Sequence, residues 1–365
     1  MCKKILVTVG LIALFIGFTG CEVPFEMPFE LPFDVPFVSD GDGNGGGEAA
    51  TNQGGTGAAQ GGAAQGGGTV GGQDAQGGTA ASERGTPREV VPASRARVPR
   101  TGDETQTQGG ATLDTSNISS GYFMVHFEGN VPRFVVRVEH GSAQQPCDFF
   151  MGPDTWQTIP LTHGNGTYTV TLLAQRDGGM FAVLLTTTIE VSMTSQLLPF
   201  LYPNIFVNFT PQTRAVQEAA RLAEGAYNEL DVVQAVYDFV VASIAYDHAF
   251  AEAVTAGTIT EYIPDLDDIL RRGTGVCFDY AAVMTAMLRA QNIPTRLEIG
   301  FVTGGIFHAW VTIHTPEHGW VGVVQFAQGN NWTLMDPTFT AANDPSQALA
   351  QFIGDGSNYQ TVFRR

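Results

Sequence analysis

From Ser39 to about Thr112 the chain holds almost no large apolar side chains; it is built of Gly, Gln, Ala, Thr and Ser, with glycine densest between Gly41 and Gly78. Such a stretch cannot bury enough surface to offset the entropy of ordering it. It reads as a flexible tether of roughly 70 residues with a typical span of ~45 Å, long enough to cross part of a cell wall or periplasm. The folded parts of the 365-residue chain must therefore lie beyond it, where there is room for two domains of ordinary size.

Residues 1–21 read MCKKILVTVGLIALFIGFTGC: two lysines, an apolar run from Ile5 to Phe18, then Thr19, Gly20 and Cys21. As a helix that run reaches ~21 Å, short of the ~30 Å hydrocarbon core, so residues 1–20 are expected to be a secretory signal and not a permanent span. The junction F-T-G-C resembles a bacterial lipobox. The resemblance implies that Cys21 becomes the lipid-modified first residue of the mature protein. The repeat that follows carries Pro24, Pro28, Pro32 and Pro36 four apart. Prolines at that spacing block helix, so an extended spacer is expected, and residues 21–113 as a whole read as anchor, spacer and tether.

A formal net charge of −18 argues against nucleic acid, which is bound through clustered Lys and Arg. The same charge disfavours adhesion to anionic lipid, so membrane attachment must come from the N-terminal lipid. Of the four cysteines, Cys2 leaves with the signal and Cys21 takes the lipid. Two remaining thiols, Cys147 and Cys277, do not make a disulfide scaffold.

Residues 114–210 hold short alternating runs: Tyr122 to Glu128, Arg133 to Glu139, Trp156 to Leu161, Thr167 to Gln175 and Met180 to Val191. They are β-branched and aromatic, separated by Gly and Asp turns, and are expected to form an all-β sandwich. The piece GNGTYTVTLL is similar to a late strand of an immunoglobulin-like domain, where a Tyr near the strand start packs at a corner. Cys147, beside Phe149 and Phe150, is expected to be a buried core thiol.

Near Pro211 the apolar period changes from two to about 3.6. Gln212–Glu224 and Leu230–Ser243 are expected helices, with Asp231 at the start of the second. Further on, Gly273 and Gly275 break the chain, a helix opens at Cys277 and runs to about Gln291, and Arg296 to Val302 alternate as a strand. A thiol at a helix N-terminus meets the positive end of the dipole and unsatisfied amides, which brings its pKa from ~8.5 toward roughly 3.5 to 7.5 when a basic partner is near. The segment FHAWVTIH puts His308 and Trp310 on one strand face, and NWTLMDPTF ends a strand at Asp336; between them Gly329, Asn330 and Asn331 signal a hairpin. Nucleophile, base and orienting carboxylate are thus all present in chain order. No CxxC or HExxH spacing points to a metal, and no cofactor is expected.

The blocks GVCFDYAAVMTAMLRAQNIPTR, HAWV and WTLMDPTF resemble the transglutaminase-like superfamily, the papain-like transglutaminase core, over roughly Pro211 to Ala342. The resemblance implies a multidomain chain in which an immunoglobulin-like sandwich precedes an α+β catalytic domain at 211–365, with a helix-borne Cys packed on an antiparallel sheet. It also implies Cys277 as nucleophile, His308 as base and Asp336 as orienting acid. The Cys277 amide is an expected oxyanion donor, with the Tyr246 phenol as the candidate for the second, against the alternative of a buried structural tyrosine. Together with the lipobox, the arrangement is similar to lipoproteins of Gram-positive bacteria, with proteins or peptides of the cell surface as substrates. The expected chemistry is acyl transfer: peptide-amide hydrolysis first, protein-glutamine cross-linking second, and a non-catalytic surface module as the reading of another class. Asp247, Glu252, Glu261, Asp265, Asp267 and Asp268 raise the expectation of an acidic cleft rim favouring cationic substrates, against the alternative of helix caps. Asp279 is expected to serve the N-terminus of the Cys277 helix, and His314 and His318 to be solvated loop residues.

Overall fold

The computed structural model describes residues 22–23, 86–141, 147–151, 155–176, 179–259, 262–302, 306–321, 325–328, 331–334, 336–338 and 359–365. The leader, Cys21 and the glycine-rich run lie outside the described residues, as does Glu261.

The first half is β-structure. It comprises β1 (Glu22–Val23), β2 (Thr105–Gln108), β3 (Ala111–Asp114), β4 (Tyr122–Phe127), β5 (Phe134–His140), β6 (Cys147–Met151), β7 (Gln157–Pro160), β8 (Gly166–Gln175) and β9 (Phe181–Val191). Two antiparallel sheets result, ordered β2-β3-β4-β7 and β1-β9-β8-β5-β6. The alternation of β8 explains their meeting: Tyr168, Val170, Leu172 and Ala174 point every second residue into a core shared with Leu113, Phe123 and Val125 of the other sheet. Phe127 stacks on Phe134 across that core at 4.5 Å. Tyr168 is fully buried, and its hydroxyl donates to the Gly164 carbonyl at 2.8 Å while accepting from the His163 amide at 3.2 Å.

From residue 210 onward the chain is α+β. Helices α1 (Arg214–Leu222), α2 (Glu229–Ser243), α3 (His248–Thr255), α4 (Leu266–Arg272) and α5 (Cys277–Ala290) are interleaved with short strands β10 (Ala245–Tyr246) and β11 (Thr274–Gly275). Strands β12 (Thr295–Val302), β13 (Ile306–Thr315), β14 (Gly319–Val321) and β17 (Gln360–Arg364) make an antiparallel sheet ordered β14-β13-β12-β17. The hairpin expected around Gly329 is present as β15 (Gln325–Gln328) paired with β16 (Asn331–Leu334). Helix α5 packs on β12 and β13, with α1, α2 and α4 also against it. Every residue from Asp279 to Ala290 is buried, which is why α5 lacks the polar face of a surface helix. Its buried Arg289 donates to the carbonyls of Thr295 (2.9 Å), Tyr202 (2.8 Å) and Arg365 (2.7 Å), tying α5 to β12, to the segment before α1 and to the residue that follows β17.

Three expectations are sharpened by the structure. The tether was expected to reach about Thr112; within that stretch the segment around Val90 to Ala96 packs on the helical core, while residues 101–109 are exposed. Val90 and Ala93 rest on the helical core and Ala96 is buried in it. The side-chain amide of Gln291 closes a pair of hydrogen bonds with the Val91 main chain, 3.1 and 2.8 Å. The segment is polar in composition because it covers a core made by other elements and needs only a few apolar contacts of its own. Asp231 was expected to cap or charge-stabilise the start of α2: the cap is Asn228, accepting from the Asp231 amide at 2.9 Å, while Asp231 lies in the first turn, where its carboxylate accepts from the Tyr227 amide at 2.8 Å. His314 lies within β13, its ring 5.3 Å from Trp320, and is not a loop residue; His318 is exposed in the turn that follows. Cys147 sits in β6, and its side chain lies outside what is described.

Candidate active site

Strands β10 and β11 pair in parallel, Ala245 with Thr274 and Tyr246 with Gly275, and so deliver the chain to the start of α5 from inside the molecule. The start is capped from within. The Val276 amide donates to Oδ2 of Asp279 at 2.9 Å, and the Tyr262 hydroxyl donates to Oδ1 at 2.6 Å. The Arg272 guanidinium stands 3.5 Å from the same carboxylate, donates to Tyr262 at 3.1 Å and pairs with Asp268 at 3.3 Å. A Cβ on Gly275 would come within 2.7 Å of the Asp279 Cβ, so the cap closes only over a glycine. Burial pushes the Asp279 carboxyl up, and the hydrogen bonds from Tyr262 and Val276 and the charge of Arg272 offset this only in part.

Cys277 is the first residue of α5 and is half-buried. Facing it is His308 of β13, only 4% exposed, whose Nε2 is 2.7 Å from Oδ2 of Asp336, itself 0% exposed. The Thr338 amide donates to Oδ1 of Asp336 at 3.0 Å, the turn geometry that a D-P-T sequence favours. With Nε2 turned to Asp336, the other ring nitrogen is left for the hydrogen bond His308 makes with the Cys277 side chain. Burial would lower the imidazole's pKa. The Asp336 charge and hydrogen bond, aided by Cys277, overcome it and push His308 up to about 10. The ring is thus held as an imidazolium between a carboxylate and a thiol.

Tyr246 is close enough to Cys277 for their charges to interact: burial pushes its phenol up, and the Cys277 and Asp247 charges add to the effect. It therefore stays a neutral O–H donor. The structure brings Cys277, His308, Asp336 and Tyr246 into one neighbourhood. The acidic run is distributed otherwise. Asp247 and Asp265 cap α3 and α4, Asp267 accepts from the Arg214 amide at 2.8 Å, and Asp268 pairs with Arg271 and Arg272. Four of the carboxylates thus serve helix starts or ion pairs, the alternative reading, and among the described residues only Asp268 of the four has its charge paired with guanidinium groups. Three site residues had no signal in the sequence: Tyr262 and Arg272, which complete the cap, and Tyr359, whose hydroxyl donates to Oδ2 of Asp336 at 3.2 Å. Each reaches its partner through the fold, with no motif or spacing to announce it. Among the described residues no group of three or more His, Cys, Asp or Glu is placed to hold a metal ion, and no helix is long and apolar enough to cross a membrane.

The family profile described as transglutaminase-like superfamily matches residues 217–325, a span that holds Cys277 and His308 and stops short of Asp336. A protein-glutamine gamma-glutamyltransferase of Pseudomonas aeruginosa is 34% identical over 90 residues, which are 24% of this chain and 13% of that protein. The chain thus spans a small part of that relative's length. Among solved structures, a candidate cysteine protease from Cytophaga hutchinsonii is similar at 15% identity and a TM-score of 0.30, over 66% of this chain and 69% of its own. Red sea bream transglutaminase is similar at 13% identity and a TM-score of 0.26, over 60% and 48%. The helix-borne Cys277, its packing on an antiparallel sheet and the profile match lead to one statement: the chain carries a transglutaminase-like superfamily domain.

Proposed function

We propose that this domain is a cysteine acyl-transfer enzyme acting on peptide or protein amides, with hydrolysis as its main reaction. The observation that carries the reading is the continuous line from Cys277 through His308 to the buried Asp336. The Cys277 thiolate attacks the amide carbonyl carbon. The carbonyl oxygen, now an anion, accepts from the Cys277 amide at the helix start and from the Tyr246 hydroxyl. As the C–N bond breaks, the imidazolium of His308 gives its proton to the leaving amine, and an acyl thioester remains on Cys277. Water then attacks the thioester and passes a proton to His308; the acid leaves and the thiolate is restored beside the imidazolium. Asp336 keeps the ring oriented and its charge compensated through both steps.

A second reading replaces water by a lysine amine, so that an isopeptide cross-link forms in place of an acid. It is favoured by the relative named as a gamma-glutamyltransferase, 34% identical over 90 residues. The two are separated by offering a glutamine peptide with and without a primary amine and following ammonia release and amine incorporation. Release without incorporation supports hydrolysis, and incorporation in excess of the acid product replaces it with transamidation. Cys277→Ala should abolish both while leaving the thermal transition nearly unmoved, because a half-buried thiol contributes little packing; full activity in that variant would refute the reading.

We further propose that the protein is secreted and held at a bacterial surface by lipid on Cys21, on the strength of the F-T-G-C junction after a short apolar run. An unmodified Cys21 in the mature N-terminal peptide, read by mass spectrometry, would reject this. Residues 114–210 are proposed to be an immunoglobulin-like unit; the two sheets around one core and the Tyr168 hydroxyl bonded back to Gly164 support it.

A further inference from the structure

Strand β17 lies against β12 at Gly300, where a Cβ would overlap the main-chain oxygen of Gln360. Gly300 pairs with His308 on its other side, so at this bare position a single strand, β12, separates the last strand from the one that carries the histidine. The residue just ahead of β17 is Tyr359. Its ring meets Trp310 edge-on at 5.0 Å and lies 6.2 Å from the His308 ring, and Trp310 in turn stacks beside His308 at 6.2 Å. The Tyr359 hydroxyl donates to Oδ2 of Asp336, the oxygen that also faces His308 Nε2. Oδ1 is taken by the Thr338 amide. The carboxylate is therefore held at both oxygens, and the phenol and the imidazolium compete for one of them.

We propose that Tyr359 is a positioning residue for His308: its hydroxyl locks the Asp336 carboxylate toward the imidazole and draws charge off the oxygen the two share. The proposal rests on the acyl-transfer reading only in giving the imidazolium a proton to deliver. Among the described residues, the titratable groups facing the His308–Asp336 pair are Cys277 from α5 and Tyr359 from ahead of β17. Burial and the Asp336 charge keep the phenol protonated, so it remains a donor throughout the working range. Without that hydroxyl, Oδ2 pulls harder on the imidazolium. The proton is then held more tightly and passes less readily to a leaving amine.

Tyr359→Phe tests this, since it keeps the ring against Trp310 and removes only the hydroxyl. Two profiles are measured against pH: iodoacetamide alkylation of Cys277, which needs no acyl transfer, and turnover of a peptide amide. The alkaline limb of both should move up by about one pH unit, with kcat down roughly tenfold and KM unchanged. In an Asp336→Asn background the same substitution should add nothing. Unmoved limbs, or an equal effect in that background, would overturn the proposal and reduce Tyr359 to a packing residue. If wild-type protein turned over no amide while Tyr359→Phe still shifted the alkylation limb, the positioning role would stand and the proposed reaction would fall. If Cys277→Ala abolished turnover while Tyr359→Phe moved nothing, the reverse would hold.

Discussion

Replacing Asp279 separates the role of its hydrogen bonds from that of its charge. In Asp279→Ala, the Val276 amide loses its acceptor, the Tyr262 hydroxyl loses a 2.6 Å bond and Arg272 loses the carboxylate 3.5 Å away. A lost N-terminal cap costs about 1 kcal/mol. Leaving a part-buried hydroxyl and guanidinium short of a partner adds about 1 to 3 kcal/mol. The sum, about 3 kcal/mol, corresponds to a fall of roughly 10 °C in Tm for a domain of this size. Asp279→Asn keeps an acceptor for Tyr262 or Val276 and should cost only about 1 kcal/mol. The asymmetry follows from the upward push on the carboxyl: an acid whose folded pKa is raised carries its charge at a cost, so the acceptors matter more than the charge. The sign with pH is fixed by the same fact. Between the ordinary aspartate value and the raised one, the native state binds more protons than the unfolded state, so wild-type stability relative to Asp279→Asn declines as pH rises through that interval. Calorimetric unfolding at several pH values gives both results, and iodoacetamide alkylation of Cys277 reports whether the helix start stays in place. Equal losses for Ala and Asn, or a loss below about 0.5 kcal/mol for Ala, would refute the account of the cap.

Other outcomes follow from the same geometry. With His308 pushed up to about 10, its contribution to stability is fully present below the ordinary histidine range and is lost as pH rises through about 10; unfolding measured from pH 6 to 11 should show this loss in wild type and not in His308→Gln. Arg289→Ala strips the only described side-chain donors from the carbonyls of Tyr202, Thr295 and Arg365 and opens space beside α5, so a loss of about 3 kcal/mol or more is expected in chemical denaturation; a loss under 1 kcal/mol would mean water replaces the guanidinium. Limited trypsin digestion should spare Arg88, whose main chain bonds to Ala226 at 2.7 Å, so the first stable N-terminal boundary should fall ahead of it; a boundary after Arg97 or Arg100 would mean that the covering segment detaches.

Legibility in the sequence followed the range of the interaction. The strands from Tyr122 to Val191 and helices α1, α2 and α5 were readable to within a few residues, because their apolar periods repeat over one element at a time. Strands β2, β3 and β6 were not, being four or five residues long and, in β2, exposed along its whole length, TQTQ. The acidic residues from Asp247 to Asp268 show the limit of reading charge without place. They look like a negative surface in the chain, yet Asp247 and Asp265 close helix starts a few residues away and Asp267 reaches the start of α1, 53 residues back. The segment from Val90 to Ala96 shows the opposite case, since its partners lie about 200 residues on, at Gln291 and the core around α5.

The sequence by itself determined that a thiol opens a helix after a glycine break, that a histidine and an aspartate follow on strands, and that a β-rich part precedes an α+β part. These are local facts, carried by spacing and by the propensity of neighbouring residues. Only the tertiary structure decided that His308 turns Nε2 to Asp336 while staying within reach of the Cys277 side chain, that Asp279 is closed over by Tyr262 and Arg272, and that Tyr359 arrives from ahead of β17 to share the Asp336 oxygen. Burial and hydrogen-bond geometry exist only once distant segments pack. The proton balance of the site depends on both, and no periodicity along the chain records it.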